Sequence, residues 1–162
     1  MIHRALGWHD RHSSLLRYTS GILIVLAACH SARPSRDAHA EVIAALARYS
    51  SLIQMMAHDS IAQTFTPDGE SSDADQPPIR GQAAIRAHMM EFSEYKVLAN
   101  RLEADTTRIA ADTAWQAGTY WQRVRVPAGD TVEVGGRFSA IWLQTTAGQW
   151  RLRRLRTFRL AP

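Results

Sequence analysis

Three side chains from separate segments of the sequence are the strongest candidates for chemistry: Asp59, His88 and Tyr120. A carboxylate or an imidazole in an apolar cavity can have a shifted pKa and act as a general base. A nearby tyrosine hydroxyl could then stabilise a developing oxyanion. Each residue also has a structural interpretation: Asp59 as a helix N-cap, His88 as a hydrogen-bonded residue at the core margin, and Tyr120 as a core ring with its hydroxyl at the rim. Both interpretations stay open at this point.

Helices occupy the segments that would position the first two of these residues. From about Asp37, apolar side chains recur at steps of four and three and line one helical face. They are Val42, Leu46, Tyr49, Ile53 and Met56. Asp59 can cap a second, short helix that runs through Phe65, and a third helix follows Gly81. Between them, residues 66–69 predict a turn, and residues 70–78 predict a short strand at most and then a loop.

Four long strands make up the rest of the chain. They are predicted at 95–109, 113–126, 131–145 and 149–160, separated by short segments rich in turn residues. Consecutive strands joined by tight turns form an antiparallel meander. Helices followed by such a meander indicate an α+β fold.

Strand alternation assigns side chains to the two faces of this sheet. One face of the strand from Thr113 carries Ala114, Gln116, Gly118 and Tyr120, and the opposite face carries Trp115, Ala117, Thr119 and Trp121. Phe138, Ala140 and Trp142 share a face in the next strand, as do Trp150 and Leu152 in the last. A face bearing two tryptophans is too apolar to be left bare over a wide area, so we expect it to be covered.

Cys29, the only cysteine, ends the apolar run at 22–28, and basic residues precede that run. This pattern predicts a signal peptide, and the run is shorter than the roughly 20 residues of a membrane-spanning helix. The residues Leu-Ala-Ala-Cys at 26–29 resemble the lipobox of bacterial lipoproteins, which implies a lipidated cysteine at the mature N-terminus. The predicted organisation is therefore a signal peptide at 1–28, a lipidated tether at 29–36 and one domain at 37–162.

Composition and charge narrow the classes of function. The chain is 46% hydrophobic, which suffices for a core, and a single cysteine allows no internal disulfide. The formal net charge is +4, of which the leader's three arginines and one aspartate account for +2. The remaining charge of about +2 is not a nucleic-acid-binding signature. The histidine spacing suggests no zinc site, and we predict neither a metal nor a cofactor.

Several short stretches resemble the NTF2-like, or SnoaL-like, superfamily, and in particular its small bacterial DUF4440-type members. They are Phe65-Thr66-Pro67-Asp68-Gly69, Ile79-Arg80-Gly81, Ala84-Ile85-Arg86, Gly118-Thr119-Tyr120, Gly136-Arg137-Phe138 and Gly148-Gln149-Trp150-Arg151-Leu152. Their order and spacing cover about 37–159. The resemblance implies a cone-shaped fold in which N-terminal helices pack on a strongly bent antiparallel sheet around an apolar cavity.

The resemblance also implies which residues line that cavity and what the domain does. The expected pocket residues are Met56, Gln116, Gly118, Phe138, Trp142 and Arg156. The arginines of the last strand are expected to be solvated or in salt bridges, and the alternative is that one of them, Arg156, faces inward and pairs with an acidic ligand or with Asp59. The convex face in this superfamily often forms a dimer, so a homodimer is expected. Members include isomerases, dehydratases, polyketide cyclases and non-catalytic binding domains, and fold alone does not choose between them.

Three classes of function therefore remain. The first is a lipid-anchored envelope protein that binds a small, largely apolar molecule in its cone, on the periplasmic side of the outer membrane if the host has one. The second is an isomerase-, dehydratase- or cyclase-type enzyme. The third is a structural dimer with a filled cone. A pocket is implied and an acid–base pair is not evident, so binding is the leading hypothesis.

Overall fold

The computed structural model describes residues 36–73 and 76–159. Cys29 and the predicted signal peptide lie outside the described residues. Three helices and six strands follow one another within these described ranges. They are α1 (Arg36–Gln54), α2 (His58–Gln63), β1 (Phe65–Asp73), β2 (Ile79–Arg80), α3 (Gln82–Met90), β3 (Lys96–Ala110), β4 (Thr113–Arg125), β5 (Thr131–Gln144) and β6 (Trp150–Arg159). Within the described ranges, no helix has the length and apolarity needed to cross a membrane.

The strands form one sheet in the order β2-β1-β6-β5-β4-β3. Strands β3 to β6 are the predicted antiparallel meander, which confirms the α+β fold class. The sheet as a whole is mixed, because β1 pairs in parallel with β6 and antiparallel with β2. A short strand at most was expected in 70–78, yet β1 is nine residues long and starts at Phe65. Its pairing with β6 is irregular between Phe65 and Glu70.

The core lies between α1 and the inner face of the sheet. On α1 the predicted apolar face is buried at Val42, Leu46 and Tyr49, each at most 5% exposed. Trp142 and Leu152, from β5 and β6, are fully buried against it. Burying a large apolar side chain contributes about 1.5–3 kcal/mol, so this interface holds the helix on the sheet.

Bulges bend the sheet around that core. The pairing of β3 with β4 shifts register twice, and at the second shift Asp105 is the extra residue. Bulges increase the local twist and bend the strand that carries them. Gly118 of β4 lies opposite this shift, where a Cβ atom would stand 1.9 Å from the carbonyl oxygen of Glu103. Only glycine permits the two backbones to approach so closely.

The turn between α1 and α2 differs from its prediction. Asp59 was expected to be the N-cap of α2, but Ala57 occupies that position and makes no side-chain cap. Asp59 lies instead in the first helical turn, where a carboxylate interacts favourably with the helix dipole. The chain turns at Met56, whose φ of 51° is in the left-handed region. This geometry places α2 against α3 rather than in line with α1.

Candidate functional site

A cavity of about 200 Å³ opens between α1, the end of β1 and the inner face of β3 to β6. Its lining consists of Tyr49, Ile53, Asp73, Leu102, Tyr120, Gln122, Val134, Phe138, Leu155, Thr157 and Arg159. Pockets for drug-sized ligands span roughly 300–1,000 Å³. The cavity therefore suits a molecule smaller than those.

The lining changes from apolar to polar between the interior and the rim. Phe138 and Leu155 are buried, and they form the interior wall with Ile53, Leu102 and Val134. The two charged lining residues, Asp73 and Arg159, are exposed. A ligand in this cavity would place an apolar body inside and a polar group near the rim.

Tyr120 is the hydroxyl-bearing residue that connects the two parts. Its pKa is raised above the usual value, mainly by burial and further by the negative charge of Asp73, while the positive charge of Arg159 opposes the shift. The Thr157 hydroxyl donates a hydrogen bond to the Asp73 carboxylate, which holds that carboxylate at the rim. A tyrosine is protonated at neutral pH even at its ordinary pKa of 10.0, and the upward shift keeps it so, which leaves the Tyr120 hydroxyl able to donate a hydrogen bond to a ligand.

Tyr49 contributes a second phenol from α1. Burial raises the pKa of its hydroxyl strongly, so this group also stays neutral. Its ring packs edge-on against Phe65, with centroids 6.2 Å apart. The hydroxyl makes no hydrogen bond to the residues that the structure describes, although the side chain borders the cavity. It is therefore available to a bound molecule.

A chain of hydrogen bonds links α1 to the two strands below the cavity. The Asn100 side-chain amide donates to the backbone carbonyl and to the hydroxyl of Ser50, both at 2.8 Å. The Gln122 amide nitrogen donates in turn to Asn100 Oδ1 at 3.0 Å. This chain fixes the orientation of Gln122 in the cavity wall.

The structure places the predicted pocket residues at different depths. Tyr120 and Phe138 line the cavity. Gln116 and Trp142 lie on the same inner face of the sheet but are core residues outside the cavity lining. Trp142 Nε1 donates a hydrogen bond to Gln116 Oε1 at 2.8 Å, and the Gln116 amide donates to the Thr107 hydroxyl at 3.2 Å. Gly118, expected to leave room for a ligand, instead makes room for the backbone of β3.

Asp59 and His88 lie away from the cavity. Asp59 is exposed and forms an ion pair with Arg86 of α3. His88 is partly buried, with Nδ1 3.3 Å from a Glu91 carboxylate oxygen and its ring edge-on to Phe92. Met56, in the turn after α1, is also outside the lining. Neither Asp59 nor His88 is positioned to act on a molecule in this cavity.

Arg156 points outward, and the cause is a bulge in β6. Ile141 pairs with Arg154 and Trp142 with Leu152, so Arg153 is an extra residue that reverses the alternation beyond it. Leu155 then faces the core, and Arg156 is exposed, with its guanidinium 5.4 Å from the centroid of the Phe158 ring. Arg159 borders the cavity in its place.

Sequence reasoning missed four polar residues of the lining. Gln122 could have been found by continuing the alternation two residues beyond Tyr120. Asp73 lies in a segment predicted as a short strand at most and then a loop, and Thr157 and Arg159 become inward-facing only through the bulge in β6. In the part of the chain that the structure describes, no group of three or more His, Cys, Asp or Glu side chains could hold a metal ion.

Comparison with known proteins identifies the fold family. The family model of the SnoaL-like domain matches residues 34–156, which supports the resemblance inferred from the sequence. The narrower DUF4440-type resemblance stays a prediction. No curated protein matches the chain.

Solved structures with similar folds come from several bacteria. A ketosteroid isomerase-like protein from Erwinia carotovora atroseptica has a TM-score of 0.71 at 17% identity, with 79% of this chain and 100% of that chain covered. An NTF2-like protein with a cystatin-like fold from Novosphingobium aromaticivorans has a TM-score of 0.63 at 21% identity, with 75% and 81% covered. A protein from Xanthomonas campestris that is named for the association domain of calcium/calmodulin-dependent protein kinase II has a TM-score of 0.62 at 17% identity, with 74% and 86% covered. At these identities the likeness shows the fold alone.

Proposed function

We propose, from the premise that this chain belongs to the SnoaL-like family, that its domain binds a small, largely apolar molecule in the cavity. The observation that carries this proposal is the change in the lining from buried apolar side chains to polar groups at the rim. Ligand sites in proteins commonly combine an apolar wall with a few placed polar groups. The open space also favours binding over a cone filled by its own side chains.

The experiment compares two valines on the inner face of β5. Val134 lines the cavity, whereas Val132, two residues earlier, lies beyond it and is 41% exposed. Val134→Trp should fill the cavity and weaken binding of indole, a small apolar probe, at least tenfold by calorimetric titration. Val132→Trp should leave indole affinity within twofold of the unaltered protein. Equal affinity for all three proteins would show that indole binds elsewhere and would count against the cavity as the site.

Anchoring in the cell envelope is the second part of the proposal. Its support is the sequence pattern that ends in Cys29, after a basic segment and an apolar run too short to span a membrane. A lipid on this cysteine would hold the domain at a membrane surface, on the periplasmic side of the outer membrane where the host has one. The domain would then meet its ligand outside the cytoplasm.

An acid–base enzyme is the second candidate function, because the Asp73 carboxylate and the Tyr120 hydroxyl border the same cavity. Asp73 would take a proton from the substrate, and the protonated Tyr120 would donate to the developing oxyanion. Exchange of the α-hydrogens of indanone with deuterated water, followed by NMR, tests this chemistry. Asp73→Asn should abolish protein-catalysed exchange while indanone still binds. If the unaltered protein gives no exchange above buffer, the chemistry is not catalysis of this type.

A two-fold dimer through the outer face of the sheet is the proposed assembly. Trp115 on that face is 43% exposed, and a partner sheet would cover it. Sedimentation of the domain at high micromolar concentration should give a dimer that Trp115→Glu weakens. A monomer at that concentration would contradict the proposed assembly without bearing on the cavity.

A further inference from the structure

The hydrogen-bond chain below the cavity has only one possible direction. A backbone carbonyl accepts and cannot donate, so Asn100 must turn its NH₂ group towards the Ser50 carbonyl at 2.8 Å. Its Oδ1 is then left for Gln122, and an oxygen there requires the Gln122 NH₂ group as donor. The two ends of the Gln122 amide are therefore assigned by their partners.

The remaining end of the Gln122 amide is its oxygen. The described residues offer Gln122 Oε1 no hydrogen-bond partner. In the described part of the chain, Nε2 of His58 is the one side-chain polar atom that is both fully buried and without a partner. Gln122 Oε1 also lacks a partner, so it cannot be fully buried. Since Gln122 lines the cavity, Oε1 is a free acceptor open to its contents.

A molecule that displaces water from this oxygen must replace the hydrogen bond that water made. A ligand hydroxyl or N–H group would do so, whereas an ether or carbonyl oxygen would leave Oε1 unpaired and meet it with a second acceptor. A free Gln side chain could rotate by half a turn to suit either ligand. Here that rotation would break the bond to Asn100, so the amide cannot adapt without cost.

We propose that Gln122 determines specificity in this cavity, by presenting a fixed acceptor that selects small apolar molecules carrying a hydrogen-bond donor. The inference rests on the proposed binding function and names the class of ligand more narrowly. Asn100 is a positioning residue, because it acts on the ligand through Gln122. Tyr120 is the complementary group, a donor on the neighbouring part of the wall.

Indole and benzofuran test this inference, because they have nearly the same shape and differ in an N–H donor replaced by an oxygen. Calorimetric titration of the folded protein should give an affinity for indole about three- to tenfold above that for benzofuran, the range expected for one hydrogen bond. Gln122→Met keeps the side-chain length and removes the amide, so indole should fall to the affinity of benzofuran. The control Gln54→Met, at an exposed position of α1, should preserve the preference.

Each outcome decides between the proposals. Equal affinities for the two probes in the unaltered protein would overturn the role of Gln122 while leaving the cavity as a binding site. A preference for indole that survives in Gln122→Met would place the acceptor elsewhere and would also overturn it. If neither probe binds the unaltered protein, the proposed binding function fails together with this inference. The comparison in the unaltered protein stays decisive even if Gln122→Met does not fold.

Discussion

The buried pair formed by Gln116 and Trp142 allows a quantitative test of the core. Gln116 is 2% exposed and Trp142 is fully buried, and the indole N–H of Trp142 donates to Gln116 Oε1 at 2.8 Å. Gln116→Met replaces the amide with a side chain of similar length and leaves that N–H without its acceptor. No large cavity is created, and the change removes both the acceptor of that N–H and the hydrogen bond from the Gln116 amide to the Thr107 hydroxyl.

We expect this substitution to lower the free energy of unfolding by about 2 kcal/mol, within the range of roughly 1–3 kcal/mol for an unsatisfied buried group. In a domain of this size, that loss corresponds to a decrease in Tm of roughly 5–10 °C. Trp142→Phe removes the donor as well, so Gln116→Met should cost about 1 kcal/mol less in that background. The pair would then show coupling in a double-mutant cycle.

Thermal and urea unfolding, followed by circular dichroism, measure these differences. Gln149→Met is a matched control at an exposed position and should change stability by less than about 0.5 kcal/mol. If Gln116→Met unfolds with the same midpoint as the unaltered protein, or if the cycle shows no coupling, the bond between Gln116 and Trp142 does not stabilise the core as argued.

Three further predictions concern the backbone, the rim and the N-terminus. Gly118→Ala should lower the free energy of unfolding in urea by about 1–3 kcal/mol, because the added Cβ would lie 1.9 Å from a backbone oxygen. The control Gly135→Ala should cost less, because the nearest atom to its added Cβ is 3.1 Å away. Equal losses would contradict the close approach of the two backbones at Gly118. Because the pKa of Tyr120 is higher in the folded than in the unfolded state, the Tyr120 hydroxyl contributes fully to the free energy of unfolding below its ordinary pKa of 10.0. That contribution is lost as the pH rises through the pKa of the folded state. Asp73→Asn should lower that folded pKa in a spectroscopic phenolate titration, and an unchanged titration would exclude the charge of Asp73 as a cause. Cys29→Ser should abolish fatty-acid labelling and release any exported protein from the membrane, and a variant that labels and fractionates like the unaltered protein would refute lipidation.

Local sequence patterns sufficed for the helices and the four meander strands, but not for β1, and they sufficed for much of the inward-facing surface. The heptad-like steps in α1 identified Val42, Leu46 and Tyr49, all of which are buried. Alternation in β4 and β5 separated the inner face from the outer one, because these two strands pair without a register shift. Where the hydrogen-bonded pairing of two strands is regular, successive side chains alternate between the faces, so the position of a residue along the strand decides the face it occupies.

The remaining part of the site depends on pairings that no local pattern encodes. The bulge at Arg153 is defined by the partner strand, and because of it Arg159 borders the cavity where Arg156 was expected. Asp73 reaches the rim because β1 pairs in parallel with β6, and its partner there is Thr157, far away in the sequence. Short apolar and polar stretches carry no information about such distant pairing.

The order of the strands has a consequence for when the domain can fold. Strand β6 lies between β1 and β5 in the sheet, although it is synthesised after the other five strands of that sheet. Until it arrives, β1 and β2 have no connection to the meander, and the core lacks the side chains of Trp150, Leu152 and Leu155. A nascent chain therefore cannot close its core before β6 has been synthesised. Closure of the core is therefore a late step, which waits for the strand that joins the two parts of the sheet.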